Sequence, residues 1–398
     1  MSFDNNLRPG EGAPDNFDDL PVTSDPEVLP GAGSPTGGSQ GRGEGVGELK
    51  EVEGLSQGQL VWRRFIRHKG AIFGIVMLLL IATLSLSAMG VFGIPGWWKY
   101  QNYASSHDIV NGASPTLTLP TWLGGPGFAI GDHPFGQDNI GRDNFALVMK
   151  GAQTSLLVMV VLGLITLILG TTVGAFAGYY RGKVDTVLMR ATDLVITLPV
   201  LVLGAVLGKL LSTLPIKLDA SQEVKDSIVA NTPLLLAVVL GFILWPGLAR
   251  LVRSEFLTLR EREFVDSARV AGASDWRIIT KHVLPNAVGV IIVNTTLVMS
   301  QAVVLEAALS FLGFGVVDPN VSLGKLISDY QGAFATRPWL FWWPGLFIIL
   351  IALSVNFIGD GLRDAFDPRT KRIPSKREMD KALTRITEAP ATESEGAR

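Results

Sequence analysis

"SLLVMVVLGLITLILGTTVGAFAGYY", residues 155–180, runs for twenty-six positions without a charged side chain. At 1.5 Å rise per residue, a helix of this length crosses the roughly 30 Å hydrocarbon layer of a bilayer. In lipid every backbone N–H and C=O must be satisfied within the segment, so the run is read as a membrane-spanning α-helix. Within it, Gly170, Gly174 and Gly178 follow a G-x-x-x-G-x-x-x-G spacing, with Gly163 seven residues earlier. That pattern predicts close contact with a neighbouring helix more than contact with a ligand.

Working outward, five more long, predominantly apolar runs occur: 71–93, 187–211, 232–252, 287–315 and 339–362. Counted along the chain, the third span contains Arg190, Asp193 and Pro199, the fourth has Pro246 near its end, and the sixth opens on Trp339, Trp342 and Trp343. Such an aromatic group suits the membrane–water boundary. The fold class is therefore an all-α membrane protein with six transmembrane helices. Composition agrees: of 398 residues 47% are hydrophobic and 18% charged, and mean hydropathy is +0.34. A net charge of −2 leaves no nucleic-acid footprint. There is no cysteine, and His68, His107, His133 and His282 lack ligand spacing, so no metal centre is expected.

Lysine and arginine in the flanks set the orientation. Arg63, Arg64, Arg67 and Lys69 precede the first span, and Arg181, Lys183 and Arg190 cluster at the turn into the third. Arg250 to Lys281 and Arg363 to Arg377 carry the remaining large groups. Both termini are thus expected in the cytoplasm, with 94–154, 212–231 and 316–338 outside. The long 94–154 loop, with Trp97, Trp98 and Trp122, is expected to form a small ordered cap. Residues 1–58, rich in Gly, Pro, Ser and acids, have no apolar period and read as a disordered tail. Residues 59–70 alternate apolar and basic side chains. They fit a helix in the membrane interface, or a basic flank that only orients the first span. Residues 366–398 form a cytoplasmic tail.

The loop at 253–285 is longer than a chain reversal needs. "SEFLTLREREFVDSARVA" (254–271) has helical character, Gly272 can close a helix at positive φ, and Ser274 with Asp275 suits the start of a second. Pro285 marks the beginning of the fifth span. Ala268, Ala271, Gly272 and Ala273 give this elbow little bulk, so another protein surface could approach its backbone. A solvated hairpin without a partner fits the same spacing. Polar residues also lie within the spans: Asn294, Thr295, Ser300 and Gln301 either line a pathway or hydrogen-bond between helices. Asp193 and Glu306 are charges within apolar runs. Asp193 is expected to pair with Arg190 or Lys183, and Glu306 to meet solvent toward the outer end. The alternative gives both an ion-carrying role. No G-x-x-x-x-G-K-[ST] phosphate loop and no H-E-x-x-H occur, and "GDGLRD" (359–364) has the wrong order for an aspartyl protease.

The elbow resembles the cytoplasmic signature loop of bacterial ABC importer permeases. Asp266-Ser267-Ala268, three residues, Gly272, then Val283-Leu284-Pro285 follow its spacing, with Asp for the usual Glu and Ser for the first Ala. "HPFGQDNIGRDNFALVMKGAQTSLLV" (133–158), "MRATDLVITLPVLVL" (189–203), "VVLEAALSFLGFGV" (303–316) and "NFIGDGLRDAFDPR" (356–369) resemble the C-type permease of dipeptide and oligopeptide importers, in the same order. That branch also handles nickel complexes. The resemblance implies a type I importer permease fold and a role as half of a translocation pathway in the bacterial cell membrane. It also implies a second homologous permease, one or two ATP-binding subunits or a fused pair, and an extracytoplasmic substrate-binding protein. ATP and Mg would be bound by those partner subunits, with no cofactor in this chain. Asp266, Ser267, Ala268, Gly272, Ala273, Ser274, Asp275 and Pro285 would form the loop that couples to the ATPase.

Overall fold

The computed structural model describes residues 57–91, 93–217 and 221–367. The expected tails, 1–58 and 366–398, lie outside the described residues apart from two residues each: Gln57 and Gly58 already belong to the first helix, and Phe366 and Asp367 close the last.

The basic amphipathic segment forms α1 (Gln57–Arg67). Phe65 is buried with Ala71 and Ala365, while Trp62, Arg63, Ile66 and Arg67 face outward. The helix stops short of residue 70 because His68 leaves the helical region (φ −80°, ψ 103°). Its Nδ1 accepts the Ala71 N–H at 3.0 Å and so caps α2 (Lys69–Met89). That helix ends at Gly90, where β1 (Gly90–Val91) pairs antiparallel with β2 (Ile94–Pro95). A cap of short 3₁₀ turns and isolated bridges follows, up to Asp143.

From there α3 (Asn144–Tyr180) runs for 37 residues, about 55 Å at 1.5 Å per residue. It begins eleven residues before the expected start of the second span, which corrects the 94–154 loop. Asp143 Oδ2 accepts the Ala146 N–H at 2.9 Å, so the first turn is capped. The early turns carry Asn144, Lys150 and Gln153, which a hydropathy pattern leaves out. Gln153 ties these turns to the neighbouring helix end: its Nε2 donates to the carbonyls of Ser85 (2.8 Å) and Gly90 (3.0 Å).

The third span expected at 187–211 is broken in two. Two helices, α4 (Gly182–Thr197) and α5 (Val200–Lys217), meet at 82°. Pro199 has no N–H to donate and forces its predecessor out of the helical region; Leu198 is extended at φ −83°, ψ 131°. After α6 (Gln222–Ala230) comes α7 (Thr232–Leu259). The elbow contains α8 (Glu263–Val270) and α9 (Asp275–Ile278). A π turn over Ile279–Val283 then leads into α10 (Leu284–Phe311). Then come α11 (Leu323–Tyr330), inside the expected 316–338 loop, and α12 (Trp339–Phe366). Residues Asp275–Phe311 are continuous, so the fifth span starts earlier and ends earlier than 287–315. Pro285 removes one N–H from its first turn, and the Leu284 N–H reaches back five residues to Ile279 O.

Among the described residues five helices are long and apolar enough to cross a membrane: α2, α3, α7, the Asp275–Phe311 run and α12. The bent pair α4–α5 makes six if it counts as one crossing. The α3–α7 contact is built on the glycines, as their spacing predicts. A Cβ on Gly170 would come 2.8 Å from Leu248 Cβ, on Gly174 2.5 Å from Ala249 O, and on Gly178 2.6 Å from Phe256 Cβ. Backbones at that separation bring many atoms into contact at once, the main source of helix association where lipid is as apolar as the side chains.

Candidate functional site

The elbow is anchored from beneath. Val265 and Ala268 of α8 turn inward onto Phe256 of α7, with Ile278, Ile279 and Val283, in one buried cluster. The expected single helix over 254–271 is broken at Arg260–Arg262, between α7 and α8. This break lets α8 fold back so that its apolar positions meet that cluster.

The helix ends in a paired cap. The Ala273 N–H donates to Ala268 O and the Gly272 N–H to Arg269 O, both at 3.0 Å. Gly272 has φ +80°, and a Cβ there would meet nothing within 4 Å among the described residues. Backbone conformation, rather than crowding inside this chain, therefore calls for glycine. Ser274 occupies the N-cap of α9 by backbone only; its side chain makes no capping bond, which corrects the expected role of its hydroxyl. Asp275 Oδ1 instead accepts from Tyr179 Oη at 2.7 Å, at the end of α3. The Arg260 guanidinium donates to the Tyr179 carbonyl and sits 5.7 Å from its ring.

On the outer side, Asp266 pairs with Arg269 at 3.1 Å, and both are exposed. Such a pair contributes little in high dielectric. Ser267 Oγ donates to Glu263 O at 2.9 Å. Pro285 is exposed, on the first turn of α10. Two apolar residues that sequence reasoning missed crown the elbow: Val270 is 91% and Trp276 64% exposed. Their signal was available, since neither fits the buried phase of Val265, Ala268 and Ile278. The apex thus combines an open backbone, two bare apolar side chains and a charged rim.

The elbow's supports continue into the bent pair. Arg253 of α7 makes a two-pronged contact with Asp185 of α4, at 2.5 and 2.6 Å. Arg250 Nη2 lies 2.6 Å from Asp193 Oδ1. Asp193 therefore pairs across helices with Arg250, and not with Arg190 or Lys183 as expected. A local partner is easier to foresee than one fifty-seven residues away.

The polar span residues divide. Asn294 and Thr295 donate to carbonyls one turn back, Val290 and Ile291, each at 2.8 Å. Ser300 Oγ donates to Ala352 O of α12 at 2.9 Å, and Gln301 is exposed. Of these four, Ser300 bridges helices. Glu306 does not meet solvent: it is 0% exposed, accepting from Ser155 Oγ at 2.9 Å and Ser310 Oγ at 2.8 Å.

A second polar cluster lies in the cap, at the opposite end of α3. Asp143 receives His133 Nδ1 at 2.8 Å and Trp98 Nε1 at 2.8 Å while capping α3. Asp138 accepts from Arg142 Nε at 2.7 Å and Tyr330 Oη at 3.0 Å. Burial, then the charge of Asp138, pushes the Tyr330 phenol well above its ordinary range. With each acid satisfied by fixed donors, the cluster fastens the cap to α3 and α11.

Residues 170–372 match the family described as binding-protein-dependent transport system inner membrane component. Residues 56–109 match the N-terminal membrane domain of oligopeptide transport permease C. A Brucella abortus protein named as a peptide transport system permease is 35% identical over 322 residues, 80% of this chain and 94% of the relative. The oligopeptide transport system permease protein OppC of Mycobacterium bovis is 34% identical over 322 residues, 81% of this chain and 98% of the relative.

Proposed function

Because the chain belongs to the family of binding-protein-dependent transport system inner membrane components, a multi-pass membrane family of ABC peptide permeases, we propose that it forms half of the translocation pathway of an ATP-driven importer of short peptides. The α8–α9 elbow is the docking element for a separate ATP-binding subunit. ATP and Mg are held by that subunit. A second homologous permease completes the pathway, and an extracytoplasmic binding protein delivers cargo at the cap end. In this reading the elbow, both termini and the basic flanks face the cytoplasm.

The observation that carries the reading is the apex. Val270 and Trp276 are exposed beside Gly272, where an added Cβ would meet nothing among the described residues. Exposed apolar groups rimmed by charge are the composition of a protein–protein contact. Beneath them Tyr179 of α3 holds Asp275 of the elbow, Arg260 at the elbow's base holds the Tyr179 carbonyl, and Arg253 in turn ties α7 to α4. A displacement of the elbow would therefore act on several spans together, as an interface transmitting a two-state change requires.

The test is ATP-dependent uptake of a labelled dipeptide and a labelled oligopeptide into proteoliposomes holding the reconstituted complex. Val270→Arg leaves the buried cluster untouched and should lower uptake at least tenfold, with normal membrane insertion. Gly272→Trp should do the same. Full uptake by both variants would remove the elbow from the ATPase contact. Uptake driven by an ion gradient without the ATPase would remove the importer reading itself.

A further inference from the structure

The turn from α3 into α4 opens a groove that the importer reading does not use. Val173, Phe176 and Tyr180 of α3 form one wall; Val184, Val187 and Leu188 of α4 form the other, around about 700 Å³. The rings of Phe176 and Tyr180 stack at 6.0 Å with 8° between their planes. Tyr180, Val184 and Val187 are exposed, so the groove opens to the surroundings of the bundle. Lys183 lines it as well.

Along α4, Lys183, Val187, Arg190 and Leu194 recur on an exposed face at steps of four, three and four residues. The two cations are seven residues apart, about two turns. The carboxylates of the same helix are committed elsewhere, Asp185 to Arg253 and Asp193 to Arg250. Neither Lys183 nor Arg190 has an ion-pair partner among the described residues.

An apolar slot in the side of a membrane helix pair is filled by hydrocarbon, because the bilayer is its solvent. A tyrosine at the slot's end suits the headgroup boundary. Basic positions beside such a slot draw anionic head groups. We propose that this groove holds an acyl chain of an anionic phospholipid, with its phosphate against Lys183 and Arg190. Charge decides the occupant: a neutral lipid or an apolar helix would fill the slot and leave both cations unanswered. The inference needs only the membrane setting, not the ATPase contact.

Native mass spectrometry of the full chain, released from micelles with equal phosphatidylglycerol and phosphatidylcholine, tests it. Phosphatidylglycerol should be retained with roughly tenfold preference, given the attraction of each cation near an anionic surface. Lys183→Ala with Arg190→Ala should bring that preference to about twofold or less, and Lys217→Ala should leave it unchanged. Both sites are exposed, so neither change touches the core. The chain has no native cysteine, so Val187→Cys carries a photo-crosslinker at one position only. In phosphatidylglycerol proteoliposomes it should label lipid. Labelling of a second copy, a neighbouring permease or this chain's own N-terminal segment would overturn the proposal, as would an unchanged preference in the double variant.

Discussion

At Glu306 a carboxyl group lies wholly inside the bundle, held by the hydroxyls of Ser155 and Ser310 on two elements. Removing the acceptor strands both donors, at a cost of about 1–3 kcal/mol for each unsatisfied buried group. Glu306→Ala should therefore lower thermal stability in detergent clearly more than Glu306→Gln, which keeps an oxygen in place. Equal melting temperatures for the two variants would show that the hydroxyls find other partners. Tyr330 in the cap gives a pH test. Its folded phenol is raised by burial and by Asp138, so its contribution to stability is fully present below the ordinary phenol pKa of about 10. It is lost as pH rises from there, because the unfolded chain ionises first. An absorbance titration should show the highest-pH phenolate step disappearing in Tyr330→Phe. The sequence displays Glu306 as a charge in an apolar run. It hides the partners, since Ser155 is 151 positions away and one hydroxyl among many.

Among elements, the α3–α7 seam and the α4 ion pairs make opposite demands. The seam needs absence of side chain: Gly174→Leu would drive atoms into Ala249 O and Val252. Overpacking of this kind costs about 1–3 kcal/mol, and a lowered melting temperature with a displaced α7 is expected. The ion pairs need presence of charge. Asp185→Asn should weaken the hold of α4 on α7 and reduce uptake with insertion intact. Arg253→Lys should fall between, because an ammonium cannot reproduce the two-pronged contact. If Asp185→Asn transports like the wild type, packing and the Arg250–Asp193 pair hold α4 without the Arg253–Asp185 contact. The centres of the spans are legible from hydropathy, and the glycine seam from its period. The breaks are less so. Pro199 is visible in the sequence, yet Pro246 and Pro344 sit inside α7 and α12. Whether proline bends or merely thins a helix depends on neighbours that a local pattern does not contain.

At the scale of the molecule, the elbow's glycine turn and the run of apolar helices can be read from one line of sequence. The family can be read from motifs in order. What stays hidden is long-range: Trp98, His133 and Asp143 come together at the cap, and Tyr179 meets Asp275 ninety-six residues on. Those two clusters sit at opposite ends of the same unbroken helix. Asp143 starts α3 and Tyr179 closes it, one tied to the cap and the other to the elbow. Whatever displacement a rod fastened at both ends carries from one to the other is subject to thermodynamic reciprocity. Any binder that prefers one position of the rod at the cap must alter the affinity at the elbow by the same factor that elbow occupancy alters affinity at the cap. The ratio of affinities measured from either side of the bilayer is then a single number, and Tyr179→Phe, which cuts the rod's last tie to Asp275, should move it toward one from both directions.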